Sequence, residues 1–341
     1  RGDTMSENIL TVKDLKTYFY TASGIAKAVD GVSFNIAKGE TMGIVGESGS
    51  GKSVTSSSII RLLPPRTGKI VGGSIEFEGK DVLALSKKEL NDFRGKDIAV
   101  IFQDPMTSLD PVFKIGKQMT EMIMAHQNVT KDEAWKMAVE ALSKVGIPEP
   151  EKRMNSYPYE LSGGMCQRVI IAMAVCCKPK LIIADEPTTA LDVTVQAQVL
   201  ELLKELQRDM DTAILLITHN LGVVWEMCDK VMVMYAGNTV EFTDTKTLYS
   251  NPRHPYTWGL LDSMPKLSDE SKGELKTIPG TPPDLRLTGE CCNFYNRCPY
   301  VTEACTQSVP PLVEVEPGHF VACHRQNLTN KLEKGEGLKD E

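Results

Sequence analysis

Short apolar runs separated by glycine-rich or acidic ends punctuate the first two thirds of the chain. Thr41-Met42-Gly43-Ile44-Val45 is strand-like and leads into a glycine-rich stretch, after which residues 52–63 take helical periodicity. Leu181-Ile182-Ile183-Ala184 runs into two carboxylates, and Ile214-Leu215-Leu216-Ile217 runs into Thr218-His219. Continuous apolar runs of this length predict strands buried on both faces, as in a parallel sheet. Residues 9–45 alternate strand-like segments and turns, and Ser74-Ile75-Glu76-Phe77-Glu78-Gly79 predicts a further strand and turn. The period changes over residues 115–145, which read as helical, with Thr130 and Glu133 spaced as a capping box. Residues 165–177 and 194–210 are helical by the same criterion. Residues 231–235 and 239–242, joined by Ala236-Gly237-Asn238, predict a hairpin.

The ends of these elements carry the chemistry. Gly46-Glu47-Ser48-Gly49-Ser50-Gly51-Lys52-Ser53 is a phosphate-binding loop pattern between strand and helix. Its glycines let successive N–H groups turn toward phosphate oxygens, and the helix start adds a positive dipole end. Lys52 reaches the β- and γ-phosphates, the Ser53 hydroxyl ligates Mg²⁺, and Ser48, Gly49, Ser50, Gly51 and Val54 complete the nucleotide contacts. Asp185 stands where a Mg²⁺-holding acid is needed, and Glu186 where a carboxylate polarises the attacking water. A Gly/Ser turn or a solvated acidic turn is the bland alternative for each segment alone; their joint order argues against it.

Leu161-Ser162-Gly163-Gly164-Met165, followed by Gln167-Arg168, makes the chain resemble the ATP-binding cassette (ABC) family, whose motif it matches at four of five positions. The resemblance implies an α/β P-loop fold: a RecA-like core, an antiparallel β subdomain and a helical subdomain at about 105–175. It implies two subunits, identical or related, closing head to tail around two ATP molecules. Ser162, Gly163, Gly164 and Asp192 would then contact ATP held by the partner. His219 matches the family's switch histidine. Gln103 matches the glutamine of a loop that touches Mg²⁺ and faces the membrane subunit. Phe19, flanked by Tyr18 and Tyr20, is the candidate for adenine stacking, with ordinary strand packing the alternative. Met165 and Cys166 depart from the common pattern. The composition shifts near residue 250, and His254-Pro255-Tyr256 with the Pro-rich stretch 278–283 resembles the C-terminal extension of the oligopeptide/dipeptide importers. The expected domains are therefore an ATPase at 5–250, a loop-rich extension at 251–330 and a polar tail at 331–341. The implied partners are transmembrane permease subunits and, indirectly, an extracytoplasmic peptide-binding protein, with the chain at the cytoplasmic face of the membrane. Dipeptides, longer peptides and nickel chelates all remain open as cargo.

Charge and composition narrow this further. The net charge is −7 with no Lys/Arg block, which argues against nucleic acid and against a soluble ABC ATPase acting on DNA or ribosomes. No apolar run reaches transmembrane length and no secretory segment opens the sequence, while Arg1-Gly2-Asp3-Thr4 ahead of Met5 reads as a cloning remnant. Five of nine cysteines lie at 291–323. Without a two-residue zinc knuckle, Cys292, Cys298, Cys305 and Cys323 favour a [4Fe–4S] cluster, with zinc, free thiols or a disulfide as alternatives. Cys291 is dispensable in that reading. His319 and His324 are alternative ligands or turn residues.

Overall fold

The computed structural model describes residues 8–189, 191–264 and 277–325. The remnant Arg1–Thr4, the expected tail at 331–341 and the last residues of the expected extension lie outside them. The chain forms two compact units. One comprises the described residues up to Leu10 with Ile36–Thr41 and Phe77–Ile217; the other comprises Thr11–Asn35, Met42–Glu76 and the described residues from Thr218 onward.

The first unit is built on three parallel strands, Ile98–Ile101, Leu181–Asp185 and Ala213–Ile217, with Leu181–Asp185 between the other two. Every residue of Leu181–Asp185 and Ala213–Ile217 is buried, as their unbroken apolar runs require. The helical stretch 115–145 is two helices, Ile115–His126 and Lys131–Lys144. The break follows from local chemistry. Gln127 is extended, and Thr130 accepts from the Glu133 N–H while the Glu133 carboxylate accepts the Thr130 N–H at 2.7 Å. That box starts a new helix rather than continuing the old one. Lys131–Lys144 packs against Gly163–Val175, the helix that carries the signature segment.

In the second unit, residues 42–45 of the strand Thr41–Val45 run parallel to Lys230–Tyr235, pairing Val45 with Val233. Lys230–Tyr235 returns antiparallel as Asn238–Asp244. The connection is the two residues Ala236 and Gly237, both at positive φ (45° and 83°), the twist that a tight hairpin needs. The C-terminal extension is not only loops. His319–Val321 pairs antiparallel with Asn238–Asp244 and carries Val313–Glu316 on its other side, so the extension widens the same sheet by two strands. The helix after the phosphate loop stops at Ile59, short of the expected residue 63. Arg61 turns left-handed (φ 53°), and Pro64 disfavours helical backbone just before it.

Candidate active site

The strand Thr41–Val45 delivers the chain to Gly46, and the helix Lys52–Ile59 carries it away. Between them the loop folds in a way that two glycines alone permit. Gly46 has φ 150°, and a Cβ there would lie 2.2 Å from the Met234 carbonyl oxygen; Gly51 has φ 105°, and a Cβ there would lie 2.3 Å from that of Ala28. Both the conformation and the space exclude a side chain. The Gly237 N–H donates to the Ser50 carbonyl at 3.0 Å, tying the loop to the hairpin turn. Lys52 is 6% exposed, and its Nζ donates to the carbonyls of Gly46 (2.7 Å) and Glu47 (2.9 Å). The Ser50 hydroxyl is buried without a hydrogen-bond partner. A buried orphan hydroxyl beside a buried cation and a helix start fits an anionic ligand with oxygen acceptors. Ser48, Gly49 and Ser53 are exposed and Val54 half-buried, while Ser50, Gly51 and Lys52 are buried.

His219 is exposed in this same unit, following Thr218, whose N–H donates to the Ile44 carbonyl at 3.2 Å. Asn220 caps the helix Leu221–Met227, with its Oδ1 accepting from Gly222 and Val223. The turn that presents His219 is thereby fixed from both sides. Phe19 is half-buried in the strand Asn8–Thr21, and a Cβ at Gly68 would lie 3.1 Å from its ring edge. Tyr20 is the exposed aromatic of the trio, with Lys69 over its ring at 5.3 Å, and the Tyr18 hydroxyl donates to Asp30.

In the other unit the buried strand Leu181–Asp185 ends at Asp185, 9% exposed, and Glu186 follows in a left-handed turn at φ 49°. A non-glycine residue there is strained and must be held. The Glu186 N–H donates to the Ile217 carbonyl at 2.8 Å. Its Oε2 accepts from Gln103 Nε2 at 3.0 Å and from Thr189 Oγ1 at 2.8 Å. The structure thus brings together Gln103 and Glu186, which the sequence reading placed separately on metal and water. Thr189 escaped that reading, although a hydroxyl three residues past the acid is a local signal.

Ser162 is the N-cap of Gly163–Val175, accepting from the Met165 N–H at 3.3 Å, and Ser162 and Gly163 are exposed. A Cβ at Gly163 would meet nothing within 4 Å, whereas one at Gly164 would lie 2.8 Å from Val195. Asp192 caps Val193–Met210 through the Val195 N–H. Cys166, unexplained by sequence, is fully buried, its thiol donating to the Pro158 carbonyl at 3.5 Å.

Cys292, Cys298, Cys305 and Cys323 line one small cavity of about 10 Å³ together with His254 and His324, and Cys291 does not line it. Burial pushes the thiols up, Cys292 to about 12 and Cys298 to about 11, so both are protonated near neutrality. Among the described residues, no group of three or more His, Cys, Asp or Glu side chains is arranged to hold a metal. The structure places the four sulfurs on one cavity, and the iron–sulfur expectation finds no support in their arrangement. His319 is set apart from the ligand question, with Nε2 2.8 Å from buried Glu241.

The ABC transporter family pattern matches residues 29–189, and that of the oligopeptide/dipeptide transporter C-terminal region matches residues 240–305. The oligopeptide transport ATP-binding protein OppD of Bacillus subtilis (strain 168) is 54% identical over 313 residues, covering 92% of this chain and 87% of that protein. The dipeptide transport ATP-binding protein DppD of the same organism is 50% identical over 321 residues, covering 94% and 96%. A dimeric ATP-binding cassette solved in a post-hydrolysis state with ADP and Pi superposes with a TM-score of 0.62 at 27% identity, covering 69% of this chain and 98% of that one.

Proposed function

We propose, from the premise that this chain belongs to the ATP-binding proteins of the ABC transporter family, that it hydrolyses ATP to drive peptide import through permease subunits on other chains. The observation that carries the reading is Glu186, held in a strained turn by Gln103 and Thr189 next to buried Asp185. A carboxylate fixed by two donors cannot wander, and a water resting on its remaining lone pairs is oriented for in-line attack. Lys52 and the inward loop amides hold the β- and γ-phosphates, and His219 steadies the γ-phosphate. Mg²⁺, an oxygen-seeking cation, would be held by Ser53, Gln103 and Asp185 and would neutralise phosphate charge. Phe19 stacks on adenine. Ser162, Gly163, Gly164 and Asp192 complete the site on a partner cassette, identical or related.

The C-terminal match supports a peptide cargo, and the setting is the cytoplasmic face of a membrane, with an extracytoplasmic binding protein delivering the cargo. Among the described residues no helix is long and apolar enough to cross a membrane. Glu186→Gln should retain ATP binding and lose about 10²–10⁴-fold in hydrolysis. Steady-state ATPase at the wild-type rate would remove Glu186 from the mechanism.

The reading of Cys292, Cys298, Cys305 and Cys323 as ligands of a [4Fe–4S] cluster belongs to the same proposal. It rests on donor type and on their sharing one cavity, and it requires the side chains to turn toward a common centre. Anaerobic purification should yield iron and sulfide in equal amounts, lost in Cys298→Ser with ATP binding retained. Zinc without iron would decide against it.

A further inference from the structure

Glu47 lies inside the phosphate loop, yet the loop's chemistry has no use for an acid beside a triphosphate. The structure shows what it does instead. Its carboxylate is gripped by Arg297, with Nη1 2.6 Å from Oε2 and Nη2 2.9 Å from Oε1. Arg297 lies 250 positions further on, at the end of the single turn Tyr295–Arg297. The Arg297 side chain is 4% exposed. Its other bonds go to the carbonyls of Pro279 (Nε, 2.8 Å) and Ile278 (Nη2, 3.3 Å) and to the Tyr235 hydroxyl (Nη1, 3.3 Å). The guanidinium is thus fixed on every side, and the Glu47 bond holds its pKa above the usual value.

A second tie acts on the same residue. The Glu47 N–H donates to the Tyr256 hydroxyl at 2.8 Å, while the Glu47 carbonyl accepts from Lys52 Nζ. So the N–H and the side chain of Glu47 are held by residues beyond position 250, and its carbonyl by the phosphate-binding lysine. A bidentate guanidinium–carboxylate pair fixes angle as well as distance. A lysine could hold one oxygen but not the plane.

We propose that Arg297 and Glu47 form a latch through which the C-terminal segment sets the shape of the phosphate loop. Arg297 is a positioning residue for ATP, acting through Glu47 without touching nucleotide. The inference rests on the reading of residues 46–53 as the phosphate loop.

The test uses the full chain and Mg-ATP, measuring KM, kcat and calorimetric affinity for Arg297→Met, Arg297→Lys, Glu47→Gln and the double variant Glu47→Gln/Arg297→Met. Each of Arg297→Met and Glu47→Gln should weaken KM and affinity about tenfold, the size of one lost charge-assisted hydrogen bond, with kcat changed less than about twofold. The double variant should be no worse than the poorer single one, because both remove the same contact. Arg297→Lys should fall between wild type and Arg297→Met. Arg253→Ala, which breaks the Arg253–Glu316 pair of the same segment, should lower thermal stability and leave KM unchanged.

Additive losses in the double variant, an unchanged KM in folded Arg297→Met, or an equal KM rise in Arg253→Ala would each overturn the latch. Should Arg297→Met not fold, Glu47→Gln, which keeps size and an acceptor, decides alone. A wild-type chain that fails to bind ATP would overturn the phosphate-loop reading instead, whatever the variants do.

Discussion

The chain carries two glycine-rich helix starts, and they are built in opposite ways. At the phosphate loop, Gly46 and Gly51 sit at positive φ with carbonyl oxygens where a Cβ would be, and Lys52 is buried against the loop's own backbone. At the signature segment, Ser162 and Gly163 are exposed, Gly163 has ordinary backbone with open space around it, and the serine caps its own helix. One start is enclosed by its own chain; the other stands exposed at Ser162 and Gly163. Like sequence chemistry therefore yields two different surroundings, the first walled by its own backbone and the second left uncovered. Burial, not glycine content, separates the two.

That contrast can be broken at its deepest point. Lys52→Ala should weaken Mg-ATP binding by calorimetry at least about a hundredfold, since a buried cation loses its charge-assisted bonds to phosphate. An unchanged affinity would mean that the enclosed loop does not hold the triphosphate. A smaller effect is expected at the exposed start. In a Glu186→Gln background, Ser162→Arg should leave nucleotide affinity of the monomer intact and lower the ATP-dependent dimer fraction about tenfold in association constant. Sedimentation showing equal dimer fractions would show that Ser162 does not meet a partner's nucleotide. The finest distinction is between glycines. Without nucleotide, Gly51→Ala should cost on the order of 3 kcal/mol, from left-handed backbone and a clash with Ala28. Gly163→Ala should stay within about 0.5 kcal/mol. Equal melting temperatures for the two variants would erase the difference.

Much of this was legible in the residues. The phosphate loop, the acid-tipped and His-tipped strands, the Thr130–Glu133 box and the hairpin at 236–237 depend on neighbours a few positions apart, and they form as their patterns predict. What escaped the sequence depends on distance along the chain. The Glu47–Arg297 pair joins residues 250 positions apart, and nothing near Arg297 distinguishes it from a surface arginine. The Gln103–Glu186 bond likewise spans 83 positions. The two strands added by residues 313–321 carry too little periodicity in three or four residues to be read as strands. The four cysteines show the converse limit. Spacing brought them to one cavity, but spacing does not set the direction in which a sulfur points.

The lysine of the phosphate loop also has a consequence for the loop's own stiffness. Lys52 Nζ donates to the carbonyls of Gly46 and Glu47. One ammonium thereby ties the last turn of the loop back to its first two residues and meets oxygen partners that a buried charge needs. The curve of residues 46–52 is braced by a side chain as well as permitted by its glycines.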